Sequence, residues 1–152
     1  MIYFLDCEFN GFGGELISLA LVRQDGESIY CVAPVSKKKC EQWVKDNVLP
    51  ILWDIPSPLP GMAYKCDNTA DIGRKIKTLI GNDRDPVIIA DWPDDIKYFN
   101  ECLITGPGMM VGLDNLTFRM VRVDSYPSKL ENAVRHNAWW DAMALKEKWM
   151  NP

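Results

Sequence analysis

Residues 15–35, ELISLALVRQDGESIYCVAPV, constrain the fold more than any other part of the chain. Two apolar runs, residues 15–23 and 28–35, flank Gln24-Asp25-Gly26-Glu27. Asp-Gly in so short a connection supplies the positive φ that a tight turn needs, so the spacing predicts an antiparallel hairpin. Ahead of it, residues 2–7 (IYFLDC) read as a third strand, apolar enough for a central position covered on both sides. Gly11, Gly13 and Gly14 loosen the connection between them.

Helical spacing follows over residues 38–48 through Cys40, Trp43, Val44 and Val48. Lys37, Lys38 and Lys39 form the basic run at its start and read as a solvated helix end. Pro50, Pro56, Pro58 and Pro60 keep residues 50–61 from any regular element, as a loop within one domain. Thr69 or Asp71 is positioned to cap a helix running to Ile80, with Ile72, Ile76, Leu79 and Ile80 as its buried stripe. Residues 86–90 (PVIIA) read as a buried strand, and Pro93 suits the first position of a helix over residues 94–102. Residues 103–124 are irregular, with a glycine-rich turn and a short strand at 120–123, and a last helix covers residues 138–150. A hairpin-rich start and a helical crossover to a later strand predict an α/β fold. Its mixed sheet has three antiparallel strands, then parallel ones, with helices on both faces.

A chain of 152 residues suits one domain, 1–152. Its net charge of -4 argues against coating nucleic acid through a broad basic surface, though not against gripping a strand end. No apolar run approaches the roughly 20 residues that span a bilayer, and the acidic N-terminal segment does not read as a signal peptide. The 5 cysteines lack zinc-type spacing, so reduced thiols in a cytoplasm are the expectation.

Three acidic segments carry the chemistry. Asp6 and Glu8 stand two apart, so a strand presents both carboxylates from one face at its C-terminal end. Asp91, Asp94 and Asp95 follow the 86–90 strand, again at its C-terminal end. His136, the chain's 1 histidine, precedes Asp141 by five positions at the head of the last helix. Taken singly these are a solvated strand end, acids favoured by a helix N-terminus and a polar loop residue. Together they describe a site, because the acids converge if the two strands are neighbours. Oxygen-rich clusters select Mg²⁺ or Mn²⁺ over zinc.

The order of DCE at 6–8, DWPDDIKYF at 91–99 and HNAWWD at 136–141 resembles the DEDDh group of 3′-5′ exonucleases in the ribonuclease H-like superfamily. The hairpin and the short length look most like the small exoribonucleases of this group known from mycobacteria. The resemblance implies a ribonuclease H-like fold and hydrolysis of RNA from its 3′ end, releasing nucleoside 5′-monophosphates, with two Mg²⁺ or Mn²⁺ ions. It further implies Asp6, Glu8, Asp95 and Asp141 as metal ligands, with Asp6 bridging, and His136 as general base. Asp95 is preferred as the central acid because Tyr98 and Phe99 follow it at three and four positions; Asp91 is a candidate neighbour. Phe9, Asn10 and Gly11 are the candidate nucleotide contacts, and their departure from the group's usual residues leaves RNA against DNA open. A DNA exonuclease is the close rival, and a non-catalytic nucleic-acid-binding domain the rival of another class. Single-stranded 3′ ends are the implied partners, and dimerisation is a further expectation of the resemblance. Trp92, Trp139 and Trp140 are expected to pack in the core.

Overall fold

The Asp25-Gly26 turn closes the expected hairpin in the computed structural model, which describes residues 1–123 and 126–152. Gly26 takes φ +101°, and the Arg23 amide donates to the Glu27 carbonyl at 2.7 Å. β2 (Leu16–Arg23) and β3 (Ser28–Val32) are thereby locked in register, Ser18 opposite Val32. β1 (Ile2–Phe9) pairs antiparallel with β2 and runs two residues past the expected end, so it includes Glu8.

Four helices and five further strands complete the order α1 (Gln42–Asn47), β4 (Met62–Lys65), α2 (Thr69–Ile80), β5 (Val87–Ala90), α3 (Pro93–Leu103), β6 (Ile104–Gly106), β7 (Met109–Met110), β8 (Thr117–Met120) and α4 (Ala138–Met150) among the described residues. The main sheet has the order β4-β3-β2-β1-β5-β8. β1–β2 and β2–β3 are antiparallel; β3–β4, β1–β5 and β5–β8 are parallel. The chain is therefore α/β, with a mixed six-stranded sheet between helices. β6 and β7 form a separate small hairpin.

Alternation along β1 divides the core. Tyr3, Leu5 and Cys7 pack with Ile72, Ile76, Phe99 and Cys102 of α2 and α3. Phe4 faces the other way, with Ala138, Trp139, Ala142 and Leu145 of α4. Full burial of side chains of this size stabilises by roughly 1.5–3 kcal/mol each. Both helical layers therefore press on β1 and hold it at the centre.

Several expectations are corrected. Residues 38–48 do not form one helix: Lys37–Lys39 make an exposed 3₁₀ turn, Cys40 is extended and buried, and α1 starts only at Gln42. Burying the Cys40 thiol competes with helical continuation there. The α2 cap is Asn68, whose side chain accepts from the Asp71 amide at 2.8 Å, rather than Thr69 or Asp71. The strand expected at 120–123 lies at Thr117–Met120. Asp124, at the end of the irregular stretch, lies outside the described residues. α4 has the expected bounds. Among the described residues, no helix is long and apolar enough to cross a membrane.

Candidate metal centre

Parallel pairing of β1 with β5, Ile2 opposite Val87 through Phe4 opposite Ile89, puts their C-terminal ends side by side. Asp6 and Glu8 project from the first, and Asp91 directly follows the second. α3 then begins at Pro93, where a missing N–H costs nothing, and carries Asp95 in its first turn. From the opposite face, α4 brings Asp141 in its own first turn.

These elements gather the acids into two groups. One carboxylate oxygen from each of Asp6, Glu8 and Asp141 lies within 4.8 Å of the others, and the same holds for Asp6, Asp91 and Asp95. Asp6 belongs to both. Of the three candidate central acids, Asp91 and Asp95 therefore reach the cluster. Asp94 instead accepts a hydrogen bond from the Trp92 indole at 3.0 Å on the surface.

The cluster fits cations by its own electrostatics. Asp95 is only 2% exposed; its Oδ1 accepts from the Cys7 amide at 3.1 Å, while its Oδ2 is buried with no hydrogen-bond partner among the described residues. Asp6 Oδ2 is orphaned in the same way. Unpaired buried carboxylate oxygens are costly, and a bound cation removes that cost. Among the described residues, no ion pair involves Asp6, Glu8, Asp95 or Asp141. Burial, reinforced by the neighbouring acids, raises Asp6 and Asp95 well above the ordinary aspartate range. Glu8 is pushed up to about 8 by burial and then by Asp141. Asp141 reaches about 7 through burial, despite a hydrogen bond from the His136 amide. The acidic groups can therefore hold a metal ion, and all donors are hard oxygens, as Mg²⁺ or Mn²⁺ prefers.

His136 adopts φ +64°, a left-handed conformation uncommon outside glycine. Its amide donates to Asp141 Oδ2 at 3.1 Å, and its ring meets Trp43 edge-on at 5.0 Å between centroids. Burial and then Arg135 hold the imidazole below its usual 6.5, which keeps it neutral at neutral pH. The next residue, Asn137, is 1% exposed. Its side-chain oxygen caps α4 through Trp139 N and Trp140 N, while its NH₂ donates to the carbonyls of Ile51, at 3.0 Å, and Leu52. This double anchoring sets where α4 starts, and so where His136 and Asp141 stand.

A cleft of about 910 Å³ opens above the acids, with Phe9 and His136 among its lining residues. No family model matches this chain, and no curated protein matches it either.

The proposed nucleotide contacts separate in space. Phe9 lines the cleft and packs on Tyr98 at 4.9 Å. Asn10 is engaged elsewhere, its side chain bonding the Lys39 carbonyl at 3.0 Å and the Glu41 amide at 2.8 Å. Gly11, at φ +67°, has the Glu41 carboxylate where a Cβ would sit. Trp139 is buried and Trp140 half-buried, as expected, but Trp92 is 47% exposed and lines the cleft. Trp43, one of the residues that gave 38–48 its helical spacing, is 53% exposed and also lines it. Arg122, Tyr126 and Arg135 join them without any motif or periodicity to announce them.

Proposed function

We propose that the chain is a 3′-5′ exonuclease of the DEDDh kind on a ribonuclease H-like fold, acting on single-stranded 3′ ends, with RNA the preferred substrate. The observation that carries this reading is the pair of three-carboxylate groups sharing Asp6, with orphaned oxygens on Asp6 and Asp95. A binding module has no use for such a costly arrangement. Bound there, two divalent cations would supply the charge that activates water and stabilises a departing 3′ oxygen in phosphodiester hydrolysis.

The chain's own groups have definite tasks in that reaction. Asp6, Glu8 and Asp141 would hold one cation, and Asp6, Asp91 and Asp95 the other. The neutral His136 imidazole is suited to take a proton from the attacking water. Asp141 contributes a second time by accepting the His136 amide, which holds the left-handed turn that carries the ring. Phe9, beside Tyr98, offers an aromatic face for the terminal base.

The test is a time course on matched 5′-labelled RNA and DNA strands with Mg²⁺, Mn²⁺ or EDTA. Stepwise shortening from the 3′ end in either metal, faster on RNA and absent in EDTA, is expected. Faster cleavage of DNA would move the reading to a DNA exonuclease. Undiminished cleavage in excess EDTA would falsify the metal-dependent mechanism.

A further inference from the structure

Five acids line the cleft (Asp6, Glu8, Asp91, Asp95 and Asp141), whereas its only arginines or lysines among the described residues are Arg122 and Arg135, both exposed. No described lysine lines it. Each arginine lies over an aromatic ring that also lines the cleft. The Arg122 guanidinium is 5.0 Å from the Trp92 centroid, and that of Arg135 is 3.8 Å from the Tyr126 centroid. The first pair is held on both sides: Arg122 donates to the Asp91 carbonyl at 2.6 Å, and the Trp92 indole donates to Asp94 at 3.0 Å. A third ring, Trp43, stands edge-on to His136.

Resting on the exonuclease reading, we infer that Arg122 and Arg135 bind the phosphates of the strand on the 5′ side of the cleaved linkage. Cations held by the acids would compensate only the phosphate being cleaved. The next phosphates would meet a floor of carboxylates and a molecule of net charge -4, so they need local positive charge. A planar guanidinium stacked on a ring keeps its outward N–H groups aimed and loses little freedom on binding a phosphate. The exposed indole of Trp43 provides a stacking surface for a base without selecting which base. The ligand is thus a flexible single strand of several nucleotides, gripped at the rim and cleaved at the floor.

The experiment measures kcat/KM in Mn²⁺ on 5′-labelled oligoribonucleotides of two, four and eight residues, across a salt series. For the unaltered protein, lengthening from two to four residues is expected to raise kcat/KM about tenfold and to steepen its salt dependence. In Arg122→Ala or Arg135→Ala that gain is expected to shrink at least about threefold, with a log–log salt slope shallower by about 0.7 for each phosphate no longer neutralised. Arg122→Lys keeps the charge without the stacked plane, so it should retain the salt slope while losing part of the length gain. If Arg122→Ala fails to fold, Arg122→Lys and Arg135→Ala carry the test. A length gain and salt slope unchanged in these variants overturn the inference, as does cleavage by the unaltered protein with no length gain at all. Failure of the unaltered protein to cleave any of the three lengths is a different result, which overturns the exonuclease reading itself.

Discussion

Asp95 spends one carboxylate oxygen on the Cys7 amide and leaves the other buried without a partner among the described residues. Asparagine in its place keeps the acceptor and removes the charge. Asp95→Asn should therefore make the metal-free protein more stable, by about 1 kcal/mol or a melting shift of roughly 2–4 °C, while shrinking the stabilisation expected from Mn²⁺ binding to the native state. A melting temperature in EDTA below that of the unaltered protein would show that the cluster is not repulsive. A His136 variant can separate the proposed metal ligation from the proposed proton transfer, because the ring is in neither carboxylate group. His136→Ala should lower turnover by roughly 10²–10⁴-fold with the Mn²⁺-induced melting shift nearly intact. Loss of that shift together with turnover would recast the residue as a ligand or a structural support; near-normal turnover would return it to a loop histidine.

Elements matter here by the accuracy with which they deliver these residues. α3 delivers Asp95, and α2 fixes α3 through a close backbone approach: a Cβ on Gly73 would lie 2.0 Å from the Cys102 carbonyl oxygen. Alanine improves helix propensity by about 1 kcal/mol over glycine. The clash is with backbone rather than a flexible side chain, so the two helices must separate and Gly73→Ala should be net destabilising. Chemical denaturation would measure it, and a midpoint above that of the unaltered protein would contradict this packing argument. The central elements were legible because each has a local cause: Asp25-Gly26 for the hairpin, Pro93 for the start of α3, and apolar runs for β1 and β5. Edge elements were not. β4 has no buried residue, and β8 only one that is even half-buried, so their pairing rests on backbone hydrogen bonds that leave no apolar pattern. The same logic divides the site. The acids showed themselves through type and spacing at strand ends, whereas Trp43, Arg122 and Arg135 stand on a short helix and irregular segments, where exposure imposes no period.

For the molecule as a whole, the acidic cluster ties stability to pH. Glu8 moves from 4.5 to about 8 on folding and Asp141 from 3.8 to about 7, while Asp6 and Asp95 move the same way. The folded state thus holds protons that the unfolded chain has already released. Their contribution to stability is present below the unfolded values and is lost as pH rises through the folded ones. His136, held below 6.5, works in the opposite sense, as one group against four. In EDTA the melting temperature should fall between about pH 5 and pH 8, and Mn²⁺ should flatten the decline by replacing protons with bound charge. A melting temperature in EDTA that is level or rising over that window would count against the cluster's electrostatics. The two ends of the same cluster also lie far apart along the chain, Glu8 on the first strand and Asp141 on the last helix. The β1–β3 hairpins close from short-range contacts, but the α4 face of the sheet cannot be covered until residue 141 and its neighbours are available. During vectorial synthesis a nascent chain would therefore display Asp6 and Glu8 long before it could hold a cation between them, and competence would arise abruptly, once α4 is free to dock on the sheet.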